Sequence, residues 1–356
     1  MYAFDIAYEM GREVIPEVLG HKVEQFKVDK SKRNPRHPFF YRPQMVKLQP
    51  VTRVGPQGPV SVEQIIKLLP IGAVSITVRI PFEVEHLTDL VKYHEVQLDG
   101  RSLHAEIREL AERIYIDLRP HLVRPMEYLV EDEAYTVFCI ESGSVIPSGG
   151  IRSEAWLLEH RREIAALLTQ EQEIARLSEQ ETMESTNRYL SYYENDLVVA
   201  DWDAAIVIDE PEDFPETLYV IELANLHLAE LEAYDRLLDR ALERAYRDLR
   251  GRGSRKRADV LVLLREIRID LARYSDELSN ITKFIGDWHL ARVYQMISAR
   301  FHITEWHTTV DEKLRTLDNL YQLLQHDQSN RWMLILEITI VLLFIIDLII
   351  LFTGAR

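Results

Sequence analysis

Two carboxylates, Glu337 and Asp347, interrupt a segment from Met333 to Phe352 that otherwise runs in Leu, Ile, Val, Met, Phe and a single Thr. At membrane depth a carboxylate costs on the order of 2.5–3.5 kcal/mol, so it faces protein, water or a partner rather than lipid. The two are ten residues apart, which sets them roughly 80° apart on a straight helix. Both then fit one oligomeric seam, where they would make a polar helix–helix contact or line an ion path.

Other side chains with chemical capacity are scattered. His302 and Glu305 stand three apart, but Trp306 occupies the position where an inverted His-x-x-Glu-His zinc motif needs its second His. Asp201, Asp203 and Asp209 bracket a strand pair, and alternation turns at most some of them to one side. Gly286 interrupts a periodic apolar helix beside Trp288. Gly there costs about 1 kcal/mol against Ala and marks close helix packing. The sequence holds no GxxxxGK[ST] phosphate loop, GxGxxG turn, HExxH helix or GxSxG elbow. No catalytic residue, metal ligand or cofactor is assigned, and the expectation is a protein that is not an enzyme.

The elements that must position these residues start at the C-terminal end. A span of about 20 apolar residues crosses a ~30 Å hydrocarbon core as a helix. Arg331, Trp332 and Arg356 flank it as interfacial anchors would. A transmembrane anchor is therefore expected over residues 332–353. The N-terminus, with Asp5 and Glu9 and no basic or apolar lead, reads as neither signal peptide nor mitochondrial presequence. Together these predict a tail-anchored, single-pass protein of a cell inner membrane with its large N-terminal domain in the cytoplasm.

Upstream, residues 216–331 carry helical stripes. Ile221, Ala224, Leu228, Leu231, Leu238, Leu242, Ala245 and Leu249 form one; Val260, Leu264, Ile267, Leu271, Tyr274, Leu278, Ile281, Ile285 and Trp288 form another. Stripes held this long demand partner helices, which makes Leu271, Leu278, Gly286 and Trp288 the expected packing or oligomer contacts. A third stripe from Ile303 through Val310, Leu314, Leu317, Tyr321 and Leu324 leads toward the apolar segment with no Pro or Gly before Gly354. Its frame places neither Glu337 nor Asp347 at a seam unless the helix bends near Asp327–Asn330.

Residues 1–215 read as a mixed α/β domain. Strands are expected at Ala73–Phe82, Glu133–Ser142 and Leu197–Asp209 and a helix from Ser153; Leu87–Leu118 is helical with a break near Gly100. The Pro-rich, basic stretch 31–60 is expected as a loop or arm, and Ser61 as the cap of a short helix ending at Pro70. Cys139, the only cysteine, excludes an internal disulfide and is expected as a packed strand residue. The fold class is thus an α+β N-terminal domain, then long antiparallel or coiled-coil helices, then one transmembrane helix.

Charge narrows the partners. The chain carries a net −16, which argues against direct DNA binding driven by bulk charge. The imbalance is local: residues 131–250 hold 28 Asp and Glu against 10 Arg and no Lys, whereas residues 1–60 are net +4. Helices with solvated acidic faces account for the first of these.

The phrases Tyr193-ENDLVVADWDAAIVID209, Glu222-LANLHLAELEAYDRLLD239 and Leu278-SNITKFIGDWHLARVY294, followed by a terminal apolar helix, resemble the required-for-meiotic-nuclear-division family. The resemblance covers residues 131–356. It implies a homo-oligomeric, membrane-anchored scaffold or tether without catalytic residues; mitochondrial relatives are linked to organellar translation, so a protein or ribonucleoprotein partner joins self-association and the bilayer as expectations. An alternative follows from a second likeness. An α/β domain feeding long helices into a membrane helix is similar to CorA-type divalent-cation channels. Those carry a second span and a Gly-Met-Asn signature, and none of the seven Met residues here lies between Gly and Asn.

Overall fold

Alternating apolar residues in Ala73–Arg79 and Gly58–Leu69 pair these two strands in antiparallel register at the centre of a seven-stranded sheet. In the computed structural model, which describes residues 1–11, 15–25, 44–69, 72–126, 129, 133–145, 152–250, 268–269 and 288–353, the chain divides into two units. The first comprises Met1–Ala233 with Asp276–Trp306, and the second Tyr234–Ser275 with His307–Arg356.

In the first unit Tyr2–Asp5 joins the outer side of Ala73–Arg79, and Glu133–Ala134 closes that edge. On the other side Gln44–Lys47 pairs with the last residues of Gly58–Leu69, and Glu24–Gln25 follows it. One sheet face carries Phe4, Ile66, Leu68, Val74 and Ile76 into the core. The helix Leu103–Leu118 contributes Leu103, Ile107, Leu110, Ala111, Ile114 and Leu118 to the same core at spacings of three and four, one helical face.

A second sheet of four strands is built on Thr136–Glu141, which runs parallel to Ala204–Asp209; Leu197–Ala200 and Tyr189–Leu190 complete it antiparallel. Between the two parallel strands the chain forms the helices Ser153–Glu159, Arg161–Leu168 and Glu179–Thr186. Leu197–Ala200 is buried throughout and Ala204–Asp209 nearly so, as their continuous Val, Ile and Ala content requires.

Two local expectations are corrected. The second half of 31–60 is not a loop: Gln44–Lys47 and Val51–Gly55 are strands, and the latter turns through Gly58, at φ 114°, into Gly58–Leu69. The short helix from Ser61 does not form, because Val62, Ile66 and Leu68 find a buried face only in a strand paired on both sides. Residues 31–43 lie outside the described residues.

The second unit contains the end of the helix Phe214–Arg250 and most of the helix Ile303–Thr353. Leu238, Ala241 and Ala245 are buried on the first, and Val310, Leu314 and Leu317 on the second. Lys313 Nζ lies 2.6 Å from Asp235 Oδ1 and 2.7 Å from Asp239 Oδ1, and Arg268 pairs with Asp318.

The expected C-terminal transmembrane helix is corrected as well. Among the described residues no helix is long and apolar enough to cross a membrane. The tail-anchored, single-pass reading and the inner-membrane location with a cytoplasmic domain fall with it.

Candidate functional site

Side chains of a strand alternate between faces. The register Glu63↔Arg79, Ile65↔Thr77, Lys67↔Ser75 therefore sets Glu63, Lys67, Ser75, Thr77 and Arg79 on one face, opposite the apolar one. Most of this polar strip is capped by the helix Phe214–Arg250. Its Glu222, 3% exposed, pairs with Lys67, accepts from Ser75 Oγ at 2.5 Å and is approached by Thr77 Oγ1 at 3.5 Å. Lys67 Nζ also lies 5.5 Å from the centroid of the Tyr219 ring. Burial, and then the Glu222 charge, push the Tyr219 hydroxyl above its ordinary pKa. A buried ion pair of this kind is satisfied on both sides, and removing either partner strands a charge in the interior.

The Glu63–Arg79 end of the strip has no such lid. It opens into a cavity of about 510 Å³ whose apolar wall includes Phe82, Val137, Phe214 and Leu218, with Ser61, Thr77 and Cys139 also at its surface. Burial pushes the Cys139 thiol up to about 12, against a smaller opposing effect of Arg79. A second cavity of about 610 Å³ shares Val78, Ile80, Phe82 and Val137 with the first and adds Tyr93, His94, Ser102 and Gln170. His94 Nε2 lies 2.5 Å from the Leu167 carbonyl and so carries the ring proton. Burial lowers the His94 pKa, opposed by that hydrogen bond. Met1 lines both cavities, and its amino group donates to the Tyr135 carbonyl at 2.9 Å. Burial lowers it to about 6, against the pull of Glu222.

The three aspartates near the second sheet are separated by the structure. Asp201 Oδ1 accepts from Arg300 Nε at 2.6 Å and from the Trp202 amide at 2.7 Å, and its carbonyl accepts from Tyr135 Oη at 2.9 Å. It is a tie between the end of the helix Trp288–Arg300 and the strand turn. Asp203 is raised by burial and by Asp201. Asp209, at the strand's end, is raised to about 6 by burial and by the carboxylates of Asp213, Asp196 and Glu210, against its hydrogen bond to the Glu210 amide. A further buried polar contact joins His227 Nδ1 to Tyr294 Oη at 2.6 Å, with burial lowering the histidine to about 3.

Of the residues singled out from sequence, Leu271, Leu278 and Gly286 lie outside the described residues. Trp288 opens its helix 70% exposed, with the Arg292 guanidinium 5.9 Å from its ring centroid. Glu337 is exposed on the helix Ile303–Thr353; Asp347 belongs to the same helix, its side chain outside the description. His302 Nδ1 and Glu305 Oε1 are 3.7 Å apart. Among the described residues no group of three or more His, Cys, Asp or Glu could hold a metal ion. The structure instead brings together Lys67, Ser75, Glu222, Glu63 and Arg79. Their signal in the sequence was a charge inside an apolar run: Lys67 between Ile66 and Leu68, and Glu222 between Ile221 and Leu223.

A mixed α/β unit with a charged strip on one sheet face and two cavities is the class these observations define. Residues 1–214 match the family model described as "Uncharacterized protein MJ0711, N-terminal domain", and the chain belongs to that family. It is similar to the uncharacterized protein MJ0711 of Methanocaldococcus jannaschii, 24% identical over 337 residues that span 93% of this chain and 97% of that protein. No solved structure matches.

Proposed function

We propose that the chain is a homo-oligomeric scaffold, assembled through its second unit and without chemistry of its own. The observation that carries this reading is the end of the helix Ile303–Thr353. Thirteen large apolar side chains from Met333 to Ile349 stand 43–69% exposed there. At roughly half exposure each, they leave on the order of 1,000 Å² of apolar surface in one place, above the ~300–600 Å² of the largest patch on an ordinary monomer.

Further copies of this chain fit that surface by register. The spacing of the buried Val310, Leu314 and Leu317 continues along the same helix, in the same frame, to Ile335, Ile338, Leu342, Ile345 and Ile349. A seam that is buried at one end and bare at the other calls for helices carrying the same repeat. Ile at both seam positions favours three or four strands over two. Glu337 and Asp347 fall outside the frame; Gln328 and Arg331 fall within it, so the apolar seam restarts at Ile335.

The test is the mass of the purified full chain by light scattering, in buffer and in a mild non-ionic detergent. Three or more chains per particle are expected, with Ile338→Asp plus Ile345→Asp dissociating them and Glu337→Gln leaving the mass unchanged. A monomer under both conditions overturns the proposal, and a monomer that floats with phosphatidylcholine vesicles replaces the second copy with a lipid surface.

A further inference from the structure

The polar strip is neutralised at one end and open at the other. Lys67 and Glu222 satisfy each other beneath the helix Phe214–Arg250. Four residues along the same strand, Glu63 faces Arg79 directly across the ladder. Residues so placed have Cβ atoms about 5 Å apart, close enough for the side chains to meet. They do not pair with each other, and neither has a hydrogen-bonding or ion-pair partner among the described residues. Both line the 510 Å³ cavity, whose far wall is Phe82, Val137, Phe214 and Leu218.

Beside the Met1 amino group, which donates to the Tyr135 carbonyl, the cavity offers one unpaired cation, one unpaired anion and an apolar wall, and is complementary to a molecule with the same three parts. The volume lies in the ~300–1,000 Å³ range of small-molecule sites, which are mostly apolar with a few converging polar groups. The two charges arise from directly opposed residues, so the ligand's own charges must also be adjacent. An ammonium and a carboxylate separated by one carbon meet that condition, whereas a long-chain acid or a phosphate leaves Glu63 facing a like charge.

We infer that this cavity binds a zwitterionic α-amino acid with a large apolar side chain. Its carboxylate is held by Arg79, its ammonium by Glu63, and its side chain lies against Phe82, Phe214 and Leu218. Ser61, on the same strand and at the cavity surface, supplies a hydroxyl to the ammonium end. This ligand site is independent of assembly through the second unit, because every residue in it belongs to the first.

The experiment is calorimetric titration of the full chain with L-phenylalanine and L-leucine, beside phenethylamine, which lacks the carboxylate, and 3-phenylpropionate, which lacks the ammonium. The zwitterions are expected to bind, and each analogue to bind roughly tenfold or more weaker, the loss of one charged hydrogen-bonding group. Arg79→Gln and Glu63→Gln are each expected to weaken L-phenylalanine by a similar factor. Both side chains are exposed, so the melting midpoint and the particle mass stay as in the parent. Absence of heat at 10 mM of either amino acid, equal binding of the analogues, or an affinity unchanged in Arg79→Gln would each overturn the inference.

Discussion

Acid should destabilise this protein through His227 before its surface carboxylates titrate. The ring is fully buried on the helix Phe214–Arg250, edge-on to Tyr294 with centroids 5.8 Å apart, and burial holds its pKa near 3. In the unfolded chain the same imidazole titrates near 6.5. A depressed pKa means that the folded state refuses a proton which the unfolded state accepts, so stability is present in full above 6.5 and is lost as pH falls from there toward 3. Between pH 7.5 and pH 5 the loss amounts to about 2 kcal/mol from this one group. No discount for solvent applies, since the side chain has no exposure. His227→Gln keeps an acceptor for the Tyr294 hydroxyl and cannot titrate. Urea unfolding of both proteins at fixed concentration, from pH 7.5 to pH 5, should therefore show the parent losing about 2 kcal/mol more than the variant. Carboxylates contribute alike to both and cancel in the difference. Profiles that run parallel to within about 0.5 kcal/mol would refute the reasoning, because a histidine that charges inside the fold cannot be buried as described.

Two further outcomes follow from the first unit. Glu222→Leu leaves the Lys67 ammonium in the interior and should cost about 3–5 kcal/mol in urea unfolding, while adding Lys67→Met should recover most of that loss, since an apolar pair of similar volume replaces a buried ion pair at little cost. The Cys139 thiol, raised by burial, should react with iodoacetamide at pH 8 more slowly in the native protein than in urea, because the thiolate is the nucleophile; equal rates would contradict the packing of Thr136–Glu141.

How much of this was legible depends on how local the cause is. The strands expected at Ala73–Phe82 and Glu133–Ser142 follow from residue types within each segment and form over Ala73–Arg79 and Thr136–Glu141, and the stripe from Ile221 to Leu249 lies on the helix Phe214–Arg250; the stretch Leu197–Asp209 instead folds back as two antiparallel strands, Leu197–Ala200 and Ala204–Asp209. Ser61 and Glu63 have the types of a cap and a first turn, which favours a helix start where the structure has the strand Gly58–Leu69. What makes it a strand lies elsewhere in the chain, in the ladders on either side of it. Likewise Lys67 and Glu222 each look anomalous in isolation, and only a contact across 155 positions explains either.

The apolar end of the helix Ile303–Thr353 shows the limit from the other direction. Its hydropathy states that water must be excluded from these side chains, and nothing in that property states by what. A bilayer demands only length and apolarity. A bundle demands in addition a repeat that stays in phase with its neighbours. The phase is there: Val310, Leu314 and Leu317 are buried in the frame that Ile335, Ile338, Leu342, Ile345 and Ile349 continue. The frame is interrupted at Gln328 and Arg331 and resumes at Ile335, with Glu337 outside it. The return of the frame at Ile335, on a helix whose earlier in-frame residues are already buried, is why like chains are the cover that fits.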